Sequence, residues 1–196
     1  MAESARKSMS VEEFFDWQMR QEELYELVDG FPVPRWHTMT GASRYHDAIV
    51  VNILTSLKSQ LKGSRCQPTT PDNGVRTRIK GIRRPDVTVT CDEPQANRYE
   101  AGDPRLVVEV VSPSNEGVSW QRKIDEYRRL QGLTYILLVE SRAMQATLYT
   151  RRNSDWEPLD ADGPEAVIDL PEIGCRLTMR DVYEGLSFPS PDAEAP

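Results

Sequence analysis

The chain has 196 residues, enough for one domain with a sizeable apolar core. Its 24 basic and 31 acidic residues leave a formal charge of −7, which excludes a protein drawn to polyanions by its overall field; nucleic acid would have to be met by a local patch. No stretch approaches the ~18 apolar residues of a membrane-spanning helix and the amino end has no apolar leader, so the expectation is a soluble, cytoplasmic protein without a membrane partner.

In chain order, Ser10 and Glu13 have capping-box spacing, which predicts a short helix through "VEEFFDW". Asp29-Gly30 between the apolar runs of "LYELVDGFPVPR" predicts a hairpin, and period-two parity sets Glu26 on one face with Leu24 and Val28. From about Ser43 to Leu61, Val50, Ile53, Leu54, Leu57 and Leu61 recur at helical spacing, and Gly63 supplies a stop. His46 lies on that stripe.

Strands are predicted over residues 74–79, 86–91 and 105–111, with a Lys80-Gly81 turn after the first. The run "RTRIKGIRR" holds Arg76, Arg78, Lys80, Arg83 and Arg84 with no acid among them. It reads either as a sheet edge protected by charge or as a phosphate-contact patch. "RLVVEVV" is apolar at both parities, the signature of a strand covered on both faces, so Glu109 is placed deep. A helix over 119–131 and the strand "TYILLVE" follow; the crossover makes that strand parallel to the one carrying Glu109. "ATLYTRRNSDWEPLD" predicts a last hairpin, and residues 187–196 read as a disordered tail behind a domain of residues 1–186. Cys66, Cys91 and Cys175 have no metal or redox spacing and are expected as reduced thiols.

Asp86 opens one of these strands and Glu109 sits inside another, and a buried carboxylate is costly unless a cation meets it. At about 100° per residue from Trp120, Lys123 falls near −60°, between Tyr127 near −20° and Leu130 near −80°, inside the apolar arc. Two readings follow: Lys123 and the acids form a buried ion pair, or Asp86 and Glu109 bind a hard divalent cation such as Mg²⁺. Two or three inward acids against one lysine leave an excess of negative charge, which favours the metal.

Pro85-Asp86, the buried "VVEVVS" strand and Lys123 in "KIDEYRRLQGLTYILLVE" resemble the Uma-two family of nucleases, a branch of the PD-(D/E)XK restriction-endonuclease-like superfamily. The likeness extends from "SVEEFFDW" and "YELVDGFPV" through His46 to "RLTMRDVYEGL". It implies an α/β fold with a mixed sheet, an αβββαβ core and flanking helices. It also implies a Mg²⁺ or Mn²⁺ site and hydrolysis of DNA phosphodiester bonds, on a fold that often, though not always, forms homodimers to cut two strands. Carried over by position, Asp86 and Glu109 are the motif acids, with the Val110 carbonyl as a further metal ligand. Glu26 is the amino-terminal acid and His46 the helical histidine. The usual strand lysine is absent, because Val111 stands two residues beyond Glu109; Lys123 is the helical replacement. The alternatives are an inactive module that grips nucleic acid or protein on the same fold, and a metal-independent hydrolase using the carboxylate pair.

Overall fold

The amino-terminal capping box closes on both sides. In a computed structural model that describes residues 7–35, 43–111 and 120–188, the Ser10 Oγ accepts from the Glu13 amide at 3.1 Å. The Glu13 carboxylate accepts from the Ser10 amide at 2.8 Å, and helix α1 (Val11–Gln18) follows. Strands β1 (Tyr25–Val28) and β2 (Phe31–Pro34) form the expected hairpin. Asp29 and Gly30 take φ of 51° and 88°, the left-handed pair that a two-residue turn of the matching twist requires.

Helix α2 (Arg44–Gln60) buries Ile49, Ile53 and Leu57 against a six-stranded sheet. That sheet is built from β3 (Gln67–Thr69), β6 (Val87–Thr90), β7 (Pro104–Val111), β8 (Tyr135–Glu140), β9 (Gln145–Arg152) and β10 (Asp155–Asp162), in the order β10-β9-β8-β7-β6-β3. Helix α3 (Trp120–Arg128) covers the opposite face, and β7 and β8 on either side of it run parallel, as the crossover required. Strand β7 is therefore covered twice. Leu106, Val108 and Val110 face the α2 core, while Val107 joins Ile124, Tyr127 and Ile136 in the α3 core. Each aliphatic side chain so buried contributes roughly 1.5–3 kcal/mol. Glu109 shares the parity of Val107, which is why it meets α3.

The sequence α2-β3-β6-β7-α3-β8 gives the αβββαβ core, but its first strand is β3 and not the predicted strand at 74–79. Residues Val75–Arg78 (β4) and Gly81–Arg83 (β5) leave the main sheet and join β1 and β2 in a second sheet of order β2-β1-β5-β4. A closing hairpin, Val167–Leu170 with Cys175–Thr178, and the helix Met179–Val182 pack on the α2 side.

One further expectation is corrected. Cys66 and Cys91 form a disulfide, and only Cys175 is free. The antiparallel register pairs Gln67 with Thr90, so the residues just outside that pair come face to face. Strand β3 carries no periodic signal that would set the two cysteines side by side, and the disulfide overturns the expectation of reduced thiols at both positions. Two residues of the stretch expected as a tail, Ser187 and Phe188, are described. Phe188 packs edge-on against Tyr45 and Tyr183, and the Ser187 carbonyl accepts from the Tyr45 hydroxyl at 2.8 Å; residues 189–196 lie outside the described residues. Among the described residues no helix is long and apolar enough to cross a membrane.

Candidate active site

The β6–β7 register pairs Val87 with Val108, so Asp86, one residue before β6, comes level with Glu109. Asp86 is tied to that strand directly: its Oδ2 accepts the Val110 amide at 2.7 Å. From α3, the Lys123 ammonium lies 2.7 Å from Glu109 Oε1 and 3.4 Å from Glu26 Oε1, with the Trp120 ring 5.3 Å away. One turn on, the Tyr127 hydroxyl donates to the same Glu109 oxygen at 2.6 Å. Asp86, Glu109, Lys123, Glu26 and His46 are all buried, and the structure brings all five to one end of the main sheet.

The helical arc thus does turn Lys123 inward, and Val111, where the strand lysine would stand, carries no such role. Burial pushes the Glu109 carboxyl up; Lys123 pulls it back, but the neighbouring charges of Asp86 and Glu26 push again, leaving it above the ordinary carboxylate range. Burial alone would lower Lys123, yet Glu109 and Glu26 outweigh it and hold the ammonium charged. Tyr127 is raised well above its ordinary value by burial and by both glutamates, so it remains a donor. Burial also opposes ionisation of Asp86, but His46, Arg35 and the Val110 amide together hold it below its usual value.

Four participants were not found from sequence: Arg35, Arg83, Arg84 and Glu126 as buried members of one network. Arg83 donates to Glu26 at 2.8 Å and grips both Glu126 oxygens at 2.7 and 3.1 Å. Arg84 donates to the backbone carbonyls of Tyr25, Pro71 and Asp72, and its amide donates to Glu26 at 3.0 Å. Burial pulls the Arg84 guanidinium down to about 10, still charged at neutral pH. With Arg83 only 6% and Arg84 only 2% exposed, neither can be a surface contact to phosphate, which corrects the reading of the basic run. Arg76, Arg78 and Lys80 remain outside, engaged with Glu12 and Glu100, Asp29 and Ser8 respectively. Among the described residues the inward acids are matched by cations, because Arg35, Arg83 and Lys123 face Asp86, Glu26 and Glu109, while Glu126 is shared by Arg83 and Arg122. Buried arginines carry no periodic signal when their partners lie on other elements.

Both Glu26 oxygens are engaged by this network, so Glu26 does not offer itself to a second ion. His46 differs. Its amide is capped by Ser43 at the start of α2, while its Nε2 is buried 3.4 Å from Asp86 Oδ2 with no hydrogen-bond partner among the described residues.

Comparison with known proteins agrees with this architecture. A protein of Synechocystis sp., described as uncharacterized, is 31% identical over 183 residues, covering 92% of this chain and 94% of its own length. The crystal structure of a "putative nuclease belonging to DUF820" from Anabaena variabilis superposes with a TM-score of 0.68 at 17% identity, over 89% of this chain and 97% of that one, which establishes the restriction-endonuclease-like mixed α/β fold. A family profile described as "Putative restriction endonuclease" matches residues 11–180, and the chain is therefore a member of the Uma2 family.

Proposed function

We propose that this chain is a metal-dependent endodeoxyribonuclease in which Asp86 and Glu109 hold a divalent cation and Lys123 is the catalytic cation of the protein. The observation that carries this reading is the meeting of the Glu109 carboxylate and the Lys123 ammonium at 2.7 Å, with Asp86 bonded to the next residue of the same strand. Among the described residues no three His, Cys, Asp or Glu side chains form a metal-binding group, which argues against a structural zinc centre. Mg²⁺ or Mn²⁺ asks for less: one or two carboxylates, here with the Val110 carbonyl, completed by water and substrate phosphate. The unsatisfied His46 Nε2 beside Asp86 fits such a site, since a buried polar atom of this kind calls for a ligand or water.

When bound, the ion supplies Lewis-acid polarisation of a phosphoryl oxygen and a water of lowered pKa. The chain's own residues do the rest. Tyr127 and Lys123 both occupy Glu109 Oε1, which leaves the second oxygen for the cation. Lys123 directs its remaining donors to the attacking water or to the oxygen on which charge grows. Glu26, locked by Arg83 and the Arg84 amide, acts through Lys123 as a positioning residue.

Supercoiled plasmid and single-stranded DNA, incubated with Mg²⁺, Mn²⁺ or EDTA, test this reading. Cleavage that EDTA stops supports it, and direct linear product reports two centres acting together in a homodimer. Binding without cleavage under every condition would assign the chain to the inactive binding module, and cleavage that survives EDTA to metal-free chemistry. The cation itself is read by melting. At about a hundredfold excess over its dissociation constant, Mn²⁺ should stabilise the parent by about 2.7 kcal/mol and leave Asp86→Asn and Glu109→Gln unmoved; equal gains in all three would dissolve the site.

The surface part of the basic run has its own test. If Arg78 and Lys80 contact phosphates, the slope of log affinity against log salt should become shallower by about 0.9 for each one replaced by Gln. An unchanged slope would confine both to the turn contacts they make with Asp29 and Ser8.

A further inference from the structure

Arg35 sits on the carboxylate that the proposed cation needs. Its backbone, immediately after β2, is fixed by its amide, which donates a hydrogen bond to the Leu24 carbonyl at 2.9 Å. Its Nε donates to the Arg84 carbonyl at 3.1 Å, and its Nη2 donates to Asp86 Oδ1 at 2.5 Å. The Asp86 side chain is 3% exposed and that of Arg35 16%, so the carboxylate is closed off beneath a side chain that itself reaches the surface. The other Asp86 oxygen is taken by the Val110 amide. A divalent cation on Oδ1 and a guanidinium bonded to the same atom would meet as like charges in a buried site, so the two compete.

Arginine suits this arrangement better than lysine. A guanidinium is weakly hydrated, and its fork can keep one nitrogen on the Arg84 carbonyl while another leaves Asp86. We infer that Arg35 is the resident counter-ion of Asp86, that a divalent metal displaces it, and that the released guanidinium, still held through Nε, turns to a phosphate of the substrate. Arg35 thereby sets the threshold for metal entry and converts that entry into substrate grip. This rests on the nuclease reading above and adds to it a residue that couples the cation to the nucleic acid.

The test measures Mn²⁺ binding by titration calorimetry on the parent, Arg35→Met and Arg35→Lys in the absence of DNA, with melting curves as the folding control. Arg35→Met should bind Mn²⁺ about tenfold more tightly than the parent, because its competitor is gone. Arg35→Lys should gain less, since it keeps the charge without the two-point hold, and it replaces the Met variant in the comparison if that one fails to fold. Equal or weaker binding in the folded variant, with Mn²⁺ still bound by the parent, overturns the inference and leaves the metal site standing. No binding by any of the three removes the metal site and the inference with it. The second half is read with a phosphorothioate duplex, which slows cleavage: Mn²⁺ should strengthen its binding to the parent several-fold more than to Arg35→Met. Equal strengthening would remove the phosphate role.

Discussion

Lys123→Met, assayed in saturating Mg²⁺, is expected to stay folded and bind DNA nearly as the parent does, while single-turnover cleavage falls by about a hundredfold or more, the loss seen when a preorganised charge-stabilising donor is removed. The geometry separates this outcome from a merely structural one. Without metal, the substitution leaves Glu109 with Tyr127 as its bonded partner and Glu26 with Arg83 and the Arg84 amide. Breaking such a buried pair costs roughly 3–5 kcal/mol. The sign of the pH dependence follows from Glu109. Its carboxyl already lies above its ordinary value in the folded state, so its ionised form opposes folding at neutral pH, and removing Lys123 raises it further. The deficit of the metal-free variant should therefore shrink as pH falls toward the ordinary carboxylate range and grow as pH rises. A folded variant that cleaves at the parental rate would take Lys123 out of the chemistry.

A stability effect of similar size, independent of metal, is expected at Arg83. Arg83→Met strips a bidentate partner from Glu126 and a charge partner from Glu26, both buried. Lys123 and Arg122 soften the loss but serve other carboxylates too. The expected cost is roughly 3–5 kcal/mol, read by denaturant unfolding. Combining it with Glu126→Leu should return part of this, because a carboxylate that is absent needs no counter-ion. A loss below about 1 kcal/mol would mean that Arg83 behaves as a surface charge.

These two residues also show what the sequence could and could not carry. Lys123 was legible because its helix buries a regular arc, and a cation at the angle of Tyr127 and Leu130 has to point at the sheet. Glu109 was legible because "RLVVEVV" has no polar parity. Arg83 and Arg84 were not. In a run of five basic residues they read as surface, since a guanidinium is buried only by partners on other elements, and Glu26 and Glu126 lie 57 and 43 residues away from Arg83. Arg35 gave no signal at all, following "FPVP" with its partner 51 residues on. Strand β3 escaped for a different reason: three residues with a central proline show neither alternation nor an apolar run, and the Cys66–Cys91 bond that depends on its pairing escaped with it.

The departure of β4 and β5 into the smaller sheet bears on how far this chain can be trimmed. A shortened chain beginning at Ser43 would retain α2, β3, β6, β7, α3 and β8, the whole αβββαβ core. It would also lose β1 and β2, the strands against which β5 pairs, together with Glu26 and Arg35. Arg83 would then keep Glu126 alone, Asp86 would lose its guanidinium, and Ile82 would lose the cover of Val11, Phe14 and Leu27. Two stretches separated by α2, residues 25–34 and 75–83, are thus stitched into one support beneath the carboxylates, and the smallest fragment that contains the core elements is smaller than the smallest fragment that can hold their charges in place.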